Sequence, residues 1–250
     1  MIGDARARVR EALLRDRLVV VARRLDVKTA PDVARALIDG GLVALEITFE
    51  NPECADIVRA IRDAVGDQML VGAGTITTTE RFQLARNLDV DFVVAPMFDA
   101  EIVDGCLADG RFVVPGALTP SEVHRAWSSG ADMIKIFPVE RMAPGYVAAL
   151  REPFGEPIFM GTGGVKLTGL PRLLDAGIDV FGVGEAILDG AAIREARYEV
   201  VSANAAEFVA TVRSHLEKMA TSLGPAAKRV VDYVERTRKG DNECLNSATP

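Results

Sequence analysis

The chain of 250 residues is poor in the side chains that hold metals and disulfides. It has three cysteines, Cys54, Cys106 and Cys244, odd in number, far apart and without a C-x-x-C spacing. That pattern argues against a disulfide framework or a cysteine zinc site and fits a reducing compartment. Histidine occurs twice, at His124 and His215, each inside a helical pattern. No H-x-H, H-E-x-x-H or carboxylate cluster of metal-ligand spacing occurs, so no metal is expected. Neither G-x-G-x-x-G nor a P-loop is present, so no nucleotide cofactor is expected, and none of any other kind. Trp127, the single tryptophan, falls on a helical pattern and reads as a packing residue. Basic residues do not predominate: 29 Lys and Arg stand against 36 Asp and Glu, a net charge of −7, so no broad field attracts nucleic acid. Any anionic substrate must be captured by local groups. No apolar run approaches the roughly 18 residues of a membrane span. The segment Met1–Arg10 is charged and has no apolar h-region, so no secretory signal is expected. Together these absences predict a soluble, cytoplasmic protein with a small-molecule partner and no nucleic acid or membrane.

What is present is a repeated alternation of strand-like and helix-like segments. At 49% hydrophobic the chain can bury a large core, and 22 glycines with 12 prolines punctuate it. Strand-like runs begin near Leu18, Leu42, Met69, Asp91, Arg111, Asp132, Pro157 and Asp179, spaced 20 to 27 residues apart. Helical patterns lie between them at Thr29–Asp39, Pro52–Ala64, Thr79–Asn87, Ala100–Ala108, Pro120–Ser129 and Leu167–Ala176. Thr29 is placed to cap its helix, with Pro31 in the first turn. Eight strands, each followed by a helix, predict an α/β fold of the (β/α)8 TIM-barrel type. An amphipathic N-terminal helix, Asp4–Arg17, precedes it. Extra C-terminal helices follow, at Ser202–Ser222 and, beyond Gly224-Pro225, at Ala226–Arg238. The expected organisation is one barrel domain over 1–222, an additional helix within 223–238 and a disordered tail over 239–250.

The chemistry centres on Ala131–Glu140, where a lysine interrupts an apolar run. Period-2 alternation puts Met133, Lys135 and Phe137 on one face and Ile134 and Ile136 on the other. A lysine on such a strand is expected to have a lowered pKa and a larger share of nucleophilic free amine, as Schiff-base chemistry requires. The alternative is a strand-end lysine reaching into solvent. On the second strand Ala44, Glu46 and Thr48 alternate against Leu45 and Ile47, so Glu46 faces the same interior. A glutamate beside a lysine is an acid/base pair, or else a structural ion pair with Lys135 or Arg23. Barrel active sites lie at the C-terminal strand ends. Those ends carry Arg23, Gly72-Ala-Gly-Thr75, Pro96, Pro115-Gly116, Phe137-Pro138, Gly161-Thr-Gly-Gly164 and Gly182-Val-Gly-Glu185. The last two glycine groups suit either a backbone cradle for an anion or plain tight turns.

These strand ends resemble the family of 2-keto-3-deoxy-6-phosphogluconate and 4-hydroxy-2-oxoglutarate aldolases, class I pyruvate aldolases. The likeness covers about Leu18 to Gly190. It rests on Val19–Arg23, Leu45-Glu-Ile-Thr-Phe, Val71-Gly-Ala-Gly-Thr75, Phe92–Pro96, Val114-Pro-Gly, Ile134-Lys-Ile-Phe-Pro138, Thr162-Gly-Gly-Val165 and Gly182-Val-Gly184. The resemblance implies Lys135 as the Schiff-base lysine and Glu46 as the general acid/base. It implies that Arg23 and Thr75 hold anionic substrate groups and that Pro96 and Phe137 line the pocket. It also implies that Thr162, Gly163 and Gly164, with Gly184, face a distal phosphate, that the partners are pyruvate and an aldehyde, and that the protein is a homotrimer. Two positions depart from the family pattern: Glu185 replaces a common serine after Gly184, and Glu50 stands where some members carry an arginine. The carboxylate of Glu185 predicts that a polyol or ammonium end suits the site better than a phosphate, and Glu50 leaves Arg23 as the main candidate to pair with the substrate carboxylate.

The expected activity is therefore a metal-independent aldolase acting on a 4-hydroxy-2-keto acid. Three rivals share parts of the pattern. They are a phosphate-binding barrel synthase or isomerase of the thiamin-phosphate-synthase kind, a decarboxylase of oxaloacetate-like acids using the same lysine, and a catalytically silent binding protein.

Overall fold

The structure, a computed structural model, describes residues 2–154 and 157–222. Its strands form where β-branched and aromatic runs can be covered on both faces. They are β1 (Leu18–Ala22), β2 (Ala44–Thr48), β3 (Leu70–Gly74), β4 (Phe92–Val94), β5 (Phe112–Val114, resuming after Pro115 as Gly116–Ala117), β6 (Ile134–Ile136), β7 (Phe159–Thr162) and β8 (Val180–Val183). Every pairing is parallel. The first half of β5 pairs with β4 and the second half with β6, so the sheet order closes on itself through this one strand. Pro115 breaks the strand because it has no N–H to give the ladder. Its carbonyl still accepts from the Lys135 amide at 2.9 Å. The predicted eight-stranded barrel is what forms.

The helices between the strands are α2 (Ala30–Asp39), α3 (Cys54–Val65), α4 (Thr79–Asn87), α5 (Ala100–Ala108), α6 (Pro120–Ser128), α7 (Pro144–Arg151), α8 (Leu170–Asp175) and α9 (Gly190–Arg194). Helix α1 (Ile2–Asp16) precedes the barrel and α10 (Tyr198–Ser222) follows it. Most lie where the periodicity places them, with four differences. Thr29 occupies the cap position of α2 but makes no side-chain cap; its hydroxyl donates instead to the Asp26 carbonyl at 3.2 Å. The expected helix Leu167–Ala176 is a 3-10 turn, Leu167–Gly169, followed by α8, because Pro171 supplies no amide to the first turn. Helices α7 and α9 are too short to show several turns of apolar periodicity and escape a sequence reading. Helix α10 starts four residues earlier than expected. The expected helix Ala226–Arg238 and the tail lie outside the described residues.

Two apolar layers follow from strand alternation. Leu45, Ile47, Val71, Val93, Ile134 and Ile136 point outward against the helices. Val19, Ala44, Phe92, Phe112, Met133 and Met160 point inward, joined by Val9 and Leu13 of α1, which plug the N-terminal end of the barrel. Gly72 makes room inside: a Cβ there would overlap the Phe92 ring.

The plugged end is tied by a repeated device. Asp91, Asp132 and Asp179 each precede a strand and accept the buried amide of a residue in the strand pair alongside: Val71 at 2.8 Å, Val113 at 3.0 Å and Phe159 at 2.9 Å. Each also pairs with arginine: Asp91 with Arg8 and Arg62, Asp132 with Arg6 and Arg10, and Asp179 with Arg151. Arg6, Arg8 and Arg10 of α1 thereby hold the plug against the barrel. The opposite end is left free for chemistry.

Removing the buried Asp132 carboxylate leaves the Val113 amide without an acceptor. Asp132→Ala should cost roughly 1–3 kcal/mol by urea denaturation. Asp56→Ala removes an exposed pair with Arg59 (68% and 63% accessible) and should stay within about 0.5 kcal/mol. Equal losses would show that the aspartates do not act as strand ties.

Candidate active site

Lys135 and Glu46 both project from strand centres into the barrel, as the alternation predicts. Lys135 is 3% exposed and Glu46 fully buried. The neighbouring residues Ile134 and Ile136 face the outer layer, so the lysine has no path back to that surface. The reading of Lys135 as a solvated strand-end residue is therefore wrong. Glu46 is seated by a glycine: a Cβ at Gly74 would collide with the carboxylate. Both Glu46 oxygens are buried without a hydrogen-bond donor. No ion pair within 4.0 Å joins Glu46 to Lys135 or Arg23, so the structural-bridge reading also fails.

The electrostatics follow from burial. Burial raises the Glu46 pKa, against the attraction of Lys135 and then Arg23. Burial likewise lowers the Lys135 pKa; Glu46 opposes this and Arg23 reinforces it. Desolvation wins at both groups, so each is driven towards its neutral form. Within the field of the Arg23 guanidinium, the carboxyl is thus biased towards keeping its proton and the amine towards releasing one.

The other predicted residues surround this pair unevenly. Phe137, half-buried, lies with its ring centroid 5.5 Å from Lys135 Nζ. The same ring covers Gly163, where a Cβ would come within 2.9 Å of it. Gly163 and Gly164 have φ of +97° and +78°, a left-handed turn that glycine adopts without strain. Thr162 is 2% exposed and its hydroxyl has no hydrogen-bond partner; it occupies the space over Gly182. Thr75 is held at φ +57°, and its carbonyl accepts from Arg81 at 3.1 Å. Pro96 packs its carbonyl over Gly116, the residue in register with Lys135. Gly184 passes close to the Val21 carbonyl.

Arg23 and Glu185 differ from these in being exposed. Arg23 lines a cleft of about 470 Å³ with Arg24, Asp26, Glu50, Asn51 and Glu53. Three further residues matter that sequence reasoning did not single out. Gly74 seats Glu46, Arg81 holds the Thr75 turn, and Glu140 packs its side chain against Gly164 while pairing with Arg172 at 3.5 Å. An inward-facing glycine beside an inward-facing glutamate was the available signal for the first. The other two depend on loop paths that no periodicity reports.

His124 stacks on Phe154, and His215 pairs with Asp175 at 2.8 Å; neither enters the barrel. Trp127 is not the packed residue expected but is 37% exposed, edge-on to Phe154. Among the described residues no group of three His, Cys, Asp or Glu side chains is arranged to hold a metal. No described helix is long and apolar enough to cross a membrane.

A family model described as KDPG and KHG aldolase matches residues 9–204. The chain is 37% identical over 174 residues to a 2-dehydro-3-deoxy-phosphogluconate aldolase of Treponema pallidum (strain Nichols), covering 67% of this chain and 82% of that protein. It is 32% identical over 168 residues to a 2-dehydro-3-deoxy-6-phosphogalactonate aldolase of Escherichia coli (strain K12), with coverage of 67% and 82%. A solved structure titled as native KDPGal superposes with a TM-score of 0.74 at 29% identity, covering 80% of this chain and 96% of that one.

The raised Glu46 pKa has a consequence for folding. Below the ordinary value of 4.5 both folded and unfolded chains keep the proton. Above it the unfolded chain releases the proton while the folded one retains it, so folding loses stability as pH rises towards the folded value. Glu46→Gln should therefore gain stability relative to the parent as pH rises above about 4.5, the gain shrinking as pH falls back towards that value and staying constant below it. Denaturation midpoints across pH measure this; an advantage that grows on acidification would contradict the assignment.

Proposed function

We propose that this protein, which belongs to the KDPG and KHG aldolase family, is a class I aldolase that uses Lys135 to cleave or form a 4-hydroxy-2-keto acid, with pyruvate and an aldehyde as the other side of the reaction. The observation that carries this reading is the pairing of a lysine driven towards its free amine with a carboxyl driven towards its protonated form, both buried inside one barrel.

The neutral Nζ of Lys135 attacks the C2 ketone, giving a carbinolamine. Glu46 donates its proton to the carbinolamine hydroxyl, water departs, and a C2 iminium remains. Glu46 is now a carboxylate and accepts the C4 hydroxyl proton as the C3–C4 bond breaks. The bonding pair flows into the iminium to form an enamine, and the aldehyde leaves. Glu46 returns the proton to C3, and addition of water to the pyruvate iminium releases pyruvate, the proton left over passing to the Glu46 carboxylate so that Lys135 regains its free amine and Glu46 its proton. The initial proton on Glu46 is the requirement its buried seat over Gly74 satisfies.

In this reading Arg23 pairs with the substrate carboxylate, which its electrostatic influence on Glu46 and Lys135 supports. The Thr162 hydroxyl, buried and unpartnered, and the Thr75 hydroxyl orient the keto acid, while Pro96 and Phe137 bound the pocket. The amides of Gly163, Gly164 and Gly184 offer donors towards the far end of the substrate. The homotrimer and a cytoplasmic location remain part of the proposal. Self-association is supported by a groove of about 890 Å³ lined by Phe98, Pro120, His124 and Phe154, beside exposed Trp127.

Incubation with pyruvate and borohydride should fix a reduced adduct on Lys135, located by peptide mapping, and Lys135→Ala should abolish both adduct and turnover. A folded protein without adduct would leave the phosphate-binding barrel or the silent binder. Carbon dioxide release from oxaloacetate without aldol cleavage would favour the decarboxylase. Glu46→Gln should slow turnover by roughly 10²–10⁴; an unchanged kcat would remove Glu46 from the mechanism.

A further inference from the structure

Resting on the aldolase reading, we infer that Gly74 is a positioning residue of the reaction: its missing side chain lets the Glu46 carboxyl lie against β3, away from Lys135, so that the two groups do not close into an ion pair. Strand register places Glu46 opposite Gly72, and Thr48 opposite Gly74, across β2 and β3. A Cβ built at Gly74 would fall 2.0 Å from Glu46 Oε1 and 2.5 Å from both its Cγ and its Cδ. The Glu46 side chain therefore leans diagonally along the β3 wall, towards the C-terminal mouth of the barrel. Two bare positions on the inner face of β3 are thus filled from elsewhere, Gly72 by the Phe92 ring and Gly74 by the Glu46 carboxyl.

The backbone at Gly74 does not itself call for glycine. It is extended strand, outside the left-handed φ region that Gly163 and Gly164 occupy, so an L side chain fits its conformation. Its carbonyl accepts from the Phe49 amide at 2.8 Å, which holds the strand in place. The three atoms nearest to the added carbon all belong to Glu46, so a methyl group would be accommodated by moving the carboxyl off the wall. The closed strand order sets the direction of that move. From β2 to β6 the barrel runs through β1, β8 and β7 one way and through β3, β4 and β5 the other, so Lys135 enters from the side opposite Glu46. A carboxyl displaced from β3 moves towards the barrel axis and Lys135.

Among the described residues, the charged groups that act on Glu46 are Lys135, the more strongly, and Arg23. Those that act on Lys135 are Glu46 and Arg23. When Glu46 and Lys135 hold one titratable proton between them, the pair has two forms: amine with carboxylic acid, and ammonium with carboxylate. Passing the proton from the Glu46 carboxyl to Lys135 Nζ interconverts them without net gain or loss of a proton, so pH does not choose between them. Distance does, because attraction between the two charges grows as they approach. By leaving the carboxyl its place against β3, Gly74 keeps the pair in the neutral form, the one that can attack the ketone and then donate a proton.

The test is exchange of the pyruvate methyl protons with D2O, which needs the imine and enamine but no aldehyde, measured as kcat/KM across pH for the parent and Gly74→Ala. The plateau should fall by about ten-fold in the variant, with the acid limb moving down and the basic limb moving up by about one pH unit each, because one ion-pair population sets all three. General damage to the site would lower the whole profile and leave its limbs in place, and pairing of Glu46 with Arg23 would pull the basic limb down. Either result, or a Gly74→Ala protein that does not fold, overturns the inference. Infrared spectra supply a readout apart from turnover. The carboxylic acid carbonyl band of Glu46, identified by its loss in Glu46→Gln, should be present in the parent and diminished in Gly74→Ala; a band of equal strength in both overturns the inference. Borohydride trapping of pyruvate on the parent separates this inference from the reading beneath it. An adduct on Lys135 with unmoved limbs sinks only the role of Gly74, whereas no adduct sinks the aldolase reading and this inference with it.

Discussion

Closing a parallel sheet around Lys135 and Glu46 removes both groups from water, and the rest of the site follows from that removal. In water an amine stays charged and a carboxyl stays ionised at neutral pH. Inside the barrel, burial outweighs the mutual attraction at both groups and moves each towards neutrality. A conventional buried salt bridge would have held both charges in place and spent the lysine as a nucleophile. Here the two groups feel one another without contact, and neither Glu46 oxygen finds a donor.

That arrangement demands a scaffold that does not relax around two uncompensated polar groups. The two-layer core provides one, with inward aromatics beneath the site and outward aliphatics gripping the helices. The N-terminal end is closed by α1 and tied by three aspartates that satisfy both strand amides and arginines. The stabilising polar network and the reactive polar pair thus occupy opposite ends of the barrel. One end has every buried carboxylate fully partnered, and the other keeps Glu46 and Thr162 without partners. This division is how one fold can be both stable and reactive.

Family membership and site geometry converge on imine chemistry. Beyond the buried pair, the Gly163–Gly164 turn is covered by the Phe137 ring at Gly163 and by the Glu140 side chain at Gly164. The buried pair lies deep on strands, whereas the turn residues lie on loops, where a side chain can change without disturbing the core.

Much of this was legible in the chain itself. Period-2 alternation is a property of extended backbone, so it placed Lys135 and Glu46 on the inner face before any contact was known, and the recurrence of strand and helix specified a closed parallel barrel. The tertiary structure alone decided what depends on residues distant in sequence meeting at close range. Whether Lys135 and Glu46 form an ion pair, that Gly74 leaves the space Glu46 occupies, that Thr162 has no partner and that Trp127 faces outward are all matters of packing. Sequence periodicity reports the direction of a side chain from its own backbone. It carries no record of which other side chains share the volume it enters, and it is that shared volume that sets the hydration, and hence the reactivity, of the pair.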